Sequence, residues 1–89
     1  MNRLDRRKLQ KTIFRQEYLK LVEFLKNNRE SRGLSQAELA MLIGQDQTFV
    51  SKYENRVRRL DIIETWDICQ ALEINIHDLL RELGVKDEY

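Results

Sequence analysis

The sequence contains no proline, only three glycines, one cysteine and one histidine among its 89 residues. A single thiol, Cys69, excludes an internal disulfide, and one Cys with one His is too few for a metal cluster. The same scarcity argues against an enzyme. Acid–base or nucleophilic chemistry needs convergent titratable groups, and this chain offers one imidazole, one thiol and carboxylates scattered over helical faces. Long apolar runs are missing as well: no stretch approaches the ~20 residues that span a bilayer, and no secretory segment follows the start. A soluble, cytoplasmic protein that needs neither cofactor nor metal is the expectation. No run of four or more residues alternates apolar with polar, so the signature of a half-buried strand is lacking too.

What remains is helical. Hydrophobic residues make up 42% and charged residues 35%, a composition that suits one modest globular core rather than a disordered chain. The formal net charge of +1 hides a strong polarity along the chain. Residues 1–34 carry ten Lys/Arg against four Asp/Glu, residues 35–60 four against three, and residues 61–89 two against eight. The basic end suits a polyanionic partner and the acidic end would avoid one.

Five helices are predicted, and the three glycines sit where helices should stop. The first runs from about Gln16 to Arg32, with Phe14, Tyr18, Leu21, Val22, Leu25 and Arg29 on one face. The second is capped by Ser35, with Glu38 three residues on completing a capping box, and turns Leu39, Leu42 and Ile43 inward before Gly44. The third begins at an Asp46 cap and ends near Glu54. Asp61 caps the fourth with Glu64 in the return position, and its apolar residues are Ile62, Ile63, Trp66, Ile68, Cys69 and Leu72. Asn75 caps the fifth with Asp78 in the return position, and Ile76, Leu79, Leu80 and Leu83 follow. Connections this short predict a compact all-α domain. It is expected over 14–84, with a basic arm or short extra helix at 1–13 and a tail at 85–89. Tyr53 and Trp66 are expected in the core, Cys69 as a buried inert thiol, and His77 as an exposed residue.

The second and third helices meet at Gly44 with only Gln45 before the next cap. A turn this short makes the pair cross steeply and leaves the third helix protruding. At 100° per residue, Val50 and Tyr53 share its buried side. The opposite side holds Gln47, Thr48, Ser51, Lys52 and Asn55: amides, hydroxyls and an amine, with no acid among them. Such a strip suits the major groove, which displays mixed donors and acceptors between phosphates that repel carboxylates. Gln47, near the N-terminal end, is the expected base reader.

The stretch L-S-Q-A-E-L-A-M-L-I-G-Q-D-Q-T-F-V-S-K-Y-E-N (34–55) resembles the helix-turn-helix of phage repressor/Cro-type proteins, the XRE family. The likeness continues through R-R-L-D-I-I-E (58–64), Ala71-Leu72 and Asp78-Leu79-Leu80. It implies a repressor-like domain that binds double-stranded DNA and regulates transcription. By resemblance, Gln36 would bind a backbone phosphate and brace Gln47. Gln47, Thr48, Ser51 and Lys52 would meet bases or adjacent phosphates, with Asn55, Arg58 and Arg59 along the backbone. Arg29 and Glu54 fall where many members carry a buried salt bridge.

Three positions depart from the pattern. Arg56 replaces the usual glycine after the recognition helix, so either Asn55 or Arg56 must adopt the turn conformation. Leu60 stands where a proline is often found. Phe49 is larger than usual, and packing partly inward is favoured over touching a thymine methyl.

A single helix-turn-helix reads few base pairs, so a homodimer on a palindromic operator is expected. Its interface is assigned to Ile76, Leu79, Leu80 and Leu83. The segment bearing Arg3, Arg6, Arg7, Lys8, Lys11 and Arg15 has two readings, a solvated tail or a DNA-contacting arm. The alternative to a regulator is an antitoxin or other interaction module, with a toxin or another regulator as its protein partner.

Overall fold

The structure, a computed structural model, describes residues 15–84. The arm or extra helix expected over 1–13, the contribution of Phe14 and the tail 85–89 lie outside the described residues. Five α-helices follow one another: α1 (Gln16–Ser31), α2 (Gln36–Leu42), α3 (Gln47–Glu54), α4 (Ile62–Ala71) and α5 (Ile76–Glu82). No strand occurs among the described residues. α2 and α3 pack most closely on each other, α1 lies against α3 and α5, and α2 also meets α4.

Local chemistry sets most helix starts. Ser35 accepts from the Glu38 N–H at 3.0 Å while the Glu38 carboxylate accepts from the Ser35 N–H at 2.8 Å. Asp61 and Glu64 repeat the reciprocal pair at 2.7 and 3.0 Å. Asp46 caps α3 by accepting from Phe49 N–H at 3.1 Å. Each cap contributes about 1 kcal/mol. Asn75 differs from expectation: its side chain accepts from His77 N–H at 2.8 Å, and Asp78 pairs with Arg81 instead of reaching back.

Helix ends share one pattern. After α1, α2, α3 and α4 the chain closes a Schellman motif, in which the second residue past the cap donates back to the third-last helical carbonyl. The bonds are Leu34 to Arg29 (3.2 Å), Gln45 to Ala40 (2.9 Å), Val57 to Lys52 (2.8 Å) and Ile74 to Cys69 (2.8 Å). The motif needs a left-handed residue. Gly44 supplies it between α2 and α3 at φ 70°, but Arg56 (φ 60°) and Glu73 (φ 56°) supply it after α3 and α4. Arg56, not Asn55, therefore takes the turn conformation.

Leu25, Leu39, Val50, Tyr53, Ile68, Cys69, Leu72 and Leu79 form the centre of the core. Burying each aliphatic side chain of this size contributes about 1.5–3 kcal/mol. Leu60, in the proline position, is buried as well and seals the loop before α4. Burial raises the Cys69 thiol pKa, which suppresses the thiolate and keeps the group inert.

Two expectations about the core, Trp66 and Leu42, are corrected. Trp66 is 46% exposed, and Leu42, Ile62 and Ile63 are more exposed still. α4 carries apolar residues on two faces, and the fold covers the face of Thr65, Ile68, Cys69 and Leu72. Thr65 can be buried because its hydroxyl donates to the Asp61 carbonyl at 2.8 Å. One residue of the assigned dimer surface, Leu79, is corrected. Leu79 is 2% exposed and belongs to the core, while Ile76, Leu80 and Leu83 are half-buried within this chain. α5 packs against α1, and the large exposed apolar side chains are Met41 and Leu42 of α2, Val57 in the loop after α3, and Ile62, Ile63 and Trp66 of α4.

Candidate nucleic-acid interface

The outer side of α3 carries Gln47, Thr48, Lys52 and Asn55 exposed, with Ser51 half-buried beside them. Val50, Tyr53 and Glu54 are buried on the opposite side, which fixes the rotation of the helix. Phe49 packs inward: its ring meets Tyr53 edge-on at 5.7 Å between centroids and is 8% exposed. The strip is polar, and the carboxylate of α3 itself, Glu54, points away from it.

That carboxylate anchors a chain of hydrogen bonds reaching the front of the strip. Arg29 of α1 donates to Glu54 through Nε (2.7 Å to Oε2) and Nη2 (3.1 Å to Oε1), and through Nη1 to the Leu34 carbonyl at 2.6 Å. Gln36 Nε2 donates to the same Glu54 Oε1 at 2.9 Å. Gln36 Oε1 in turn accepts from Gln47 Nε2 at 3.3 Å. Three helices thus meet in one network, and its last member is the exposed amide of Gln47. One N–H of that amide is used by Gln36. The other N–H and the carbonyl oxygen remain, which is the donor–acceptor pair that adenine N7 and N6 require. The hydrogen bonds to Glu54 raise the Arg29 pKa further, so its guanidinium stays charged.

The loop between α3 and α4 is equally constrained. Tyr18 of α1 donates its hydroxyl to the Arg58 carbonyl at 3.0 Å and accepts from the buried Leu60 N–H at 3.1 Å. Arg58 lays its guanidinium over the Phe49 ring, 4.7 Å from the centroid, and forms two hydrogen bonds to Glu64, 2.9 and 2.7 Å. Glu64 lowers its own pKa chiefly through that pair, and raises that of Arg58. Arg58 is thus a braced and locally neutralised cation. Arg59 is exposed on the same loop. Arg56 is exposed immediately beyond Asn55, whose side chain donates to Ser51 Oγ at 3.3 Å.

The structure therefore brings together Gln36, Gln47, Arg29 and Glu54, and sets Thr48, Ser51, Lys52 and Asn55 along one side of one helix. Sequence reasoning missed Tyr18 as a loop clamp and Glu64 as the partner of Arg58. Glu64 was visible only in its capping role, and the Tyr18 contact spans about forty residues of sequence. Among the described residues, no group of His, Cys, Asp and Glu is arranged to hold a metal ion, and no helix is long and apolar enough to cross a membrane.

A protruding α3 set against α2 through a glycine turn, with a polar and acid-free outer side, defines the helix-turn-helix class. Residues 25–79 match the helix-turn-helix family HTH_3, and the chain belongs to the XRE-type branch of helix-turn-helix proteins. An XRE-family like protein from Pseudomonas syringae pv. tomato str. DC3000 is 42% identical, with 75% of this chain and 82% of that one covered and a TM-score of 0.71. The restriction-modification controller protein C.AhdI from Aeromonas hydrophila is 32% identical over 73% and 99% of the two chains, with a TM-score of 0.62. The controller protein C.Esp1396I, solved as a tetramer with its natural 35-base-pair operator, is 26% identical over 78% and 96%, with a TM-score of 0.68. A search of curated proteins finds no match.

Proposed function

We propose that this protein is a sequence-specific DNA-binding transcriptional regulator, cytoplasmic and without enzymatic activity, that works as a homodimer on a palindromic operator. The observation that carries the reading is the exposed amide of Gln47, oriented through Gln36 by a buried ion pair and flanked by an acid-free polar strip. The operator-bound relative supports it from outside the chain.

In this reading α3 enters the major groove. Gln47 reads a base, with Thr48, Ser51 and Lys52 meeting neighbouring bases or their phosphates. Gln36, Asn55 and Arg59 contact the backbone. Arg58 serves mainly by holding the loop, because Glu64 and Phe49 already occupy its guanidinium. Pre-set side chains lose little freedom on binding, so more of the contact energy appears as affinity. The second copy is assigned to the apolar face of α4 formed by Ile62, Ile63 and Trp66, in place of α5.

Gln47→Ala and Arg59→Ala separate the roles. The first should lose about 1–3 kcal/mol on the preferred site and little on random DNA. The second should weaken both alike and reduce the salt dependence. Identical behaviour of the two variants on both DNAs would refute the assignment.

The exposed α4 face also suits a second reading, an interaction module such as an antitoxin whose main partner is another protein. A stoichiometric protein partner that buries Trp66 and leaves no room for a second copy would favour it.

A further inference from the structure

We infer that Arg56 is a DNA-backbone anchor held, at a cost to fold stability, in a backbone conformation that glycine would adopt freely. The inference rests on the DNA-binding reading above and adds a residue that reading does not use. All four Schellman closures need a left-handed residue at the same place, and α1 and α2 fill it with Gly33 and Gly44. The recognition helix does not. Arg56 adopts φ 60° with the motif intact, its N–H donating to the Tyr53 carbonyl at 3.1 Å. A side chain in this region crowds its own carbonyl, a cost that Glu73 also bears, but only Arg56 bears it beside the polar strip.

The surroundings narrow that use. Arg56 is exposed, and its guanidinium has no hydrogen-bonding or ionic partner among the described residues, whereas Arg58 two residues on is paired with Glu64. It directly follows Asn55 at the end of the polar strip, where a helix lying in the groove meets the flanking phosphates. Packing is no alternative reason for the residue. An attraction to the C-terminal end of the α3 dipole is one, since cations are favoured there.

Glu73 supplies the internal control. It occupies the equivalent position after α4, has φ 56°, and carries the opposite charge at the acidic end of the molecule. Its carboxylate makes only a long exposed contact with Arg32, 3.9 Å. Replacing either residue by glycine relieves the same backbone conformation, but only one lies by the strip.

The experiment compares the full-length wild type with Arg56→Gly, Arg56→Lys and Glu73→Gly. Thermal unfolding is measured first, then binding to a random-sequence duplex of about 30 base pairs over a range of salt concentrations. Both glycine variants should melt a few degrees higher. Arg56→Gly should bind roughly three- to tenfold more weakly at low salt, with the salt slope reduced by about 1 per subunit. Arg56→Lys and Glu73→Gly should retain wild-type binding and slope. If Arg56→Gly binds like wild type the anchor is refuted, and if it melts lower while Glu73→Gly melts higher the stability cost is refuted and the helix dipole explains the residue. A wild type that binds no duplex at low salt refutes the DNA-binding reading itself.

Discussion

Arg29 and Glu54, twenty-five positions apart, meet in two hydrogen bonds of 2.7 and 3.1 Å with both side chains almost fully buried. The pair joins α1 to the recognition helix, and its carboxylate also holds Gln36, which holds Gln47. An ion pair of this kind adds little over a well-packed apolar pair, but removing one partner leaves the other charge stranded. Glu54→Leu or Arg29→Leu should therefore cost about 3–5 kcal/mol in urea unfolding. Arg29→Leu combined with Glu54→Leu should lose less than the two single effects added together.

The two buried tyrosines should behave oppositely. Tyr18→Phe leaves the buried Leu60 N–H and the Arg58 carbonyl without their partner, a loss of about 1–3 kcal/mol. The Tyr53 hydroxyl has no hydrogen-bond partner among the described residues, and burial holds its pKa far above the ordinary value. Tyr53→Phe should be neutral or slightly stabilising. Urea midpoints of the two variants, measured together, check both statements.

Acid stability follows from the caps. The Glu64 carboxyl is held below its ordinary value of 4.5, first by the Arg58 hydrogen bonds and then by the Asp61 N–H. Glu38 is lowered by its bonds to Ser35. A carboxylate whose pKa is depressed on folding contributes stability that is complete above its unfolded pKa and lost as pH falls through the folded one. The urea midpoint should therefore begin to fall as pH drops below about 4.5. Glu64→Gln should be less stable at neutral pH and show a shallower acid decline than wild type.

Self-association is expected through α4. Ile63→Lys together with Trp66→Glu places charges on the exposed apolar face without disturbing Thr65, Ile68, Cys69 or Leu72. Sedimentation should show a dimer for wild type at tens of micromolar, weakened at least tenfold in the variant, with each monomer still helical. Burial of Trp66 in the wild-type dimer should also blue-shift its fluorescence. A monomeric wild type, free and on DNA, would contradict the dimer.

Features that depend on near neighbours were legible in the sequence. The Ser35–Glu38 and Asp61–Glu64 boxes span three residues, and the turn at Gly44 follows from one glycine beside an Asp46 cap. The strip on α3 needed only the helical period. The Arg29–Glu54 pair was suggested by family resemblance, not by spacing. Choices between competing apolar faces were hidden. α4 has two such faces, and nothing local says which one α2 and the rest of the core will cover. For the same reason α5 was read as an open surface although α1 packs on it. The Tyr18 clamp joins residues about forty apart, and periodicity carries no information at that range.

The most direct test of a DNA reader built on Gln47 is selection of bound duplexes from a random pool, run with wild type and Gln47→Ala. Wild type should enrich a palindromic site with half-sites about one helical turn apart, and Gln47→Ala should lose preference at one symmetric pair of base positions while keeping the rest. Selection that enriches no site with wild type, or returns the same site unchanged with Gln47→Ala, would contradict it.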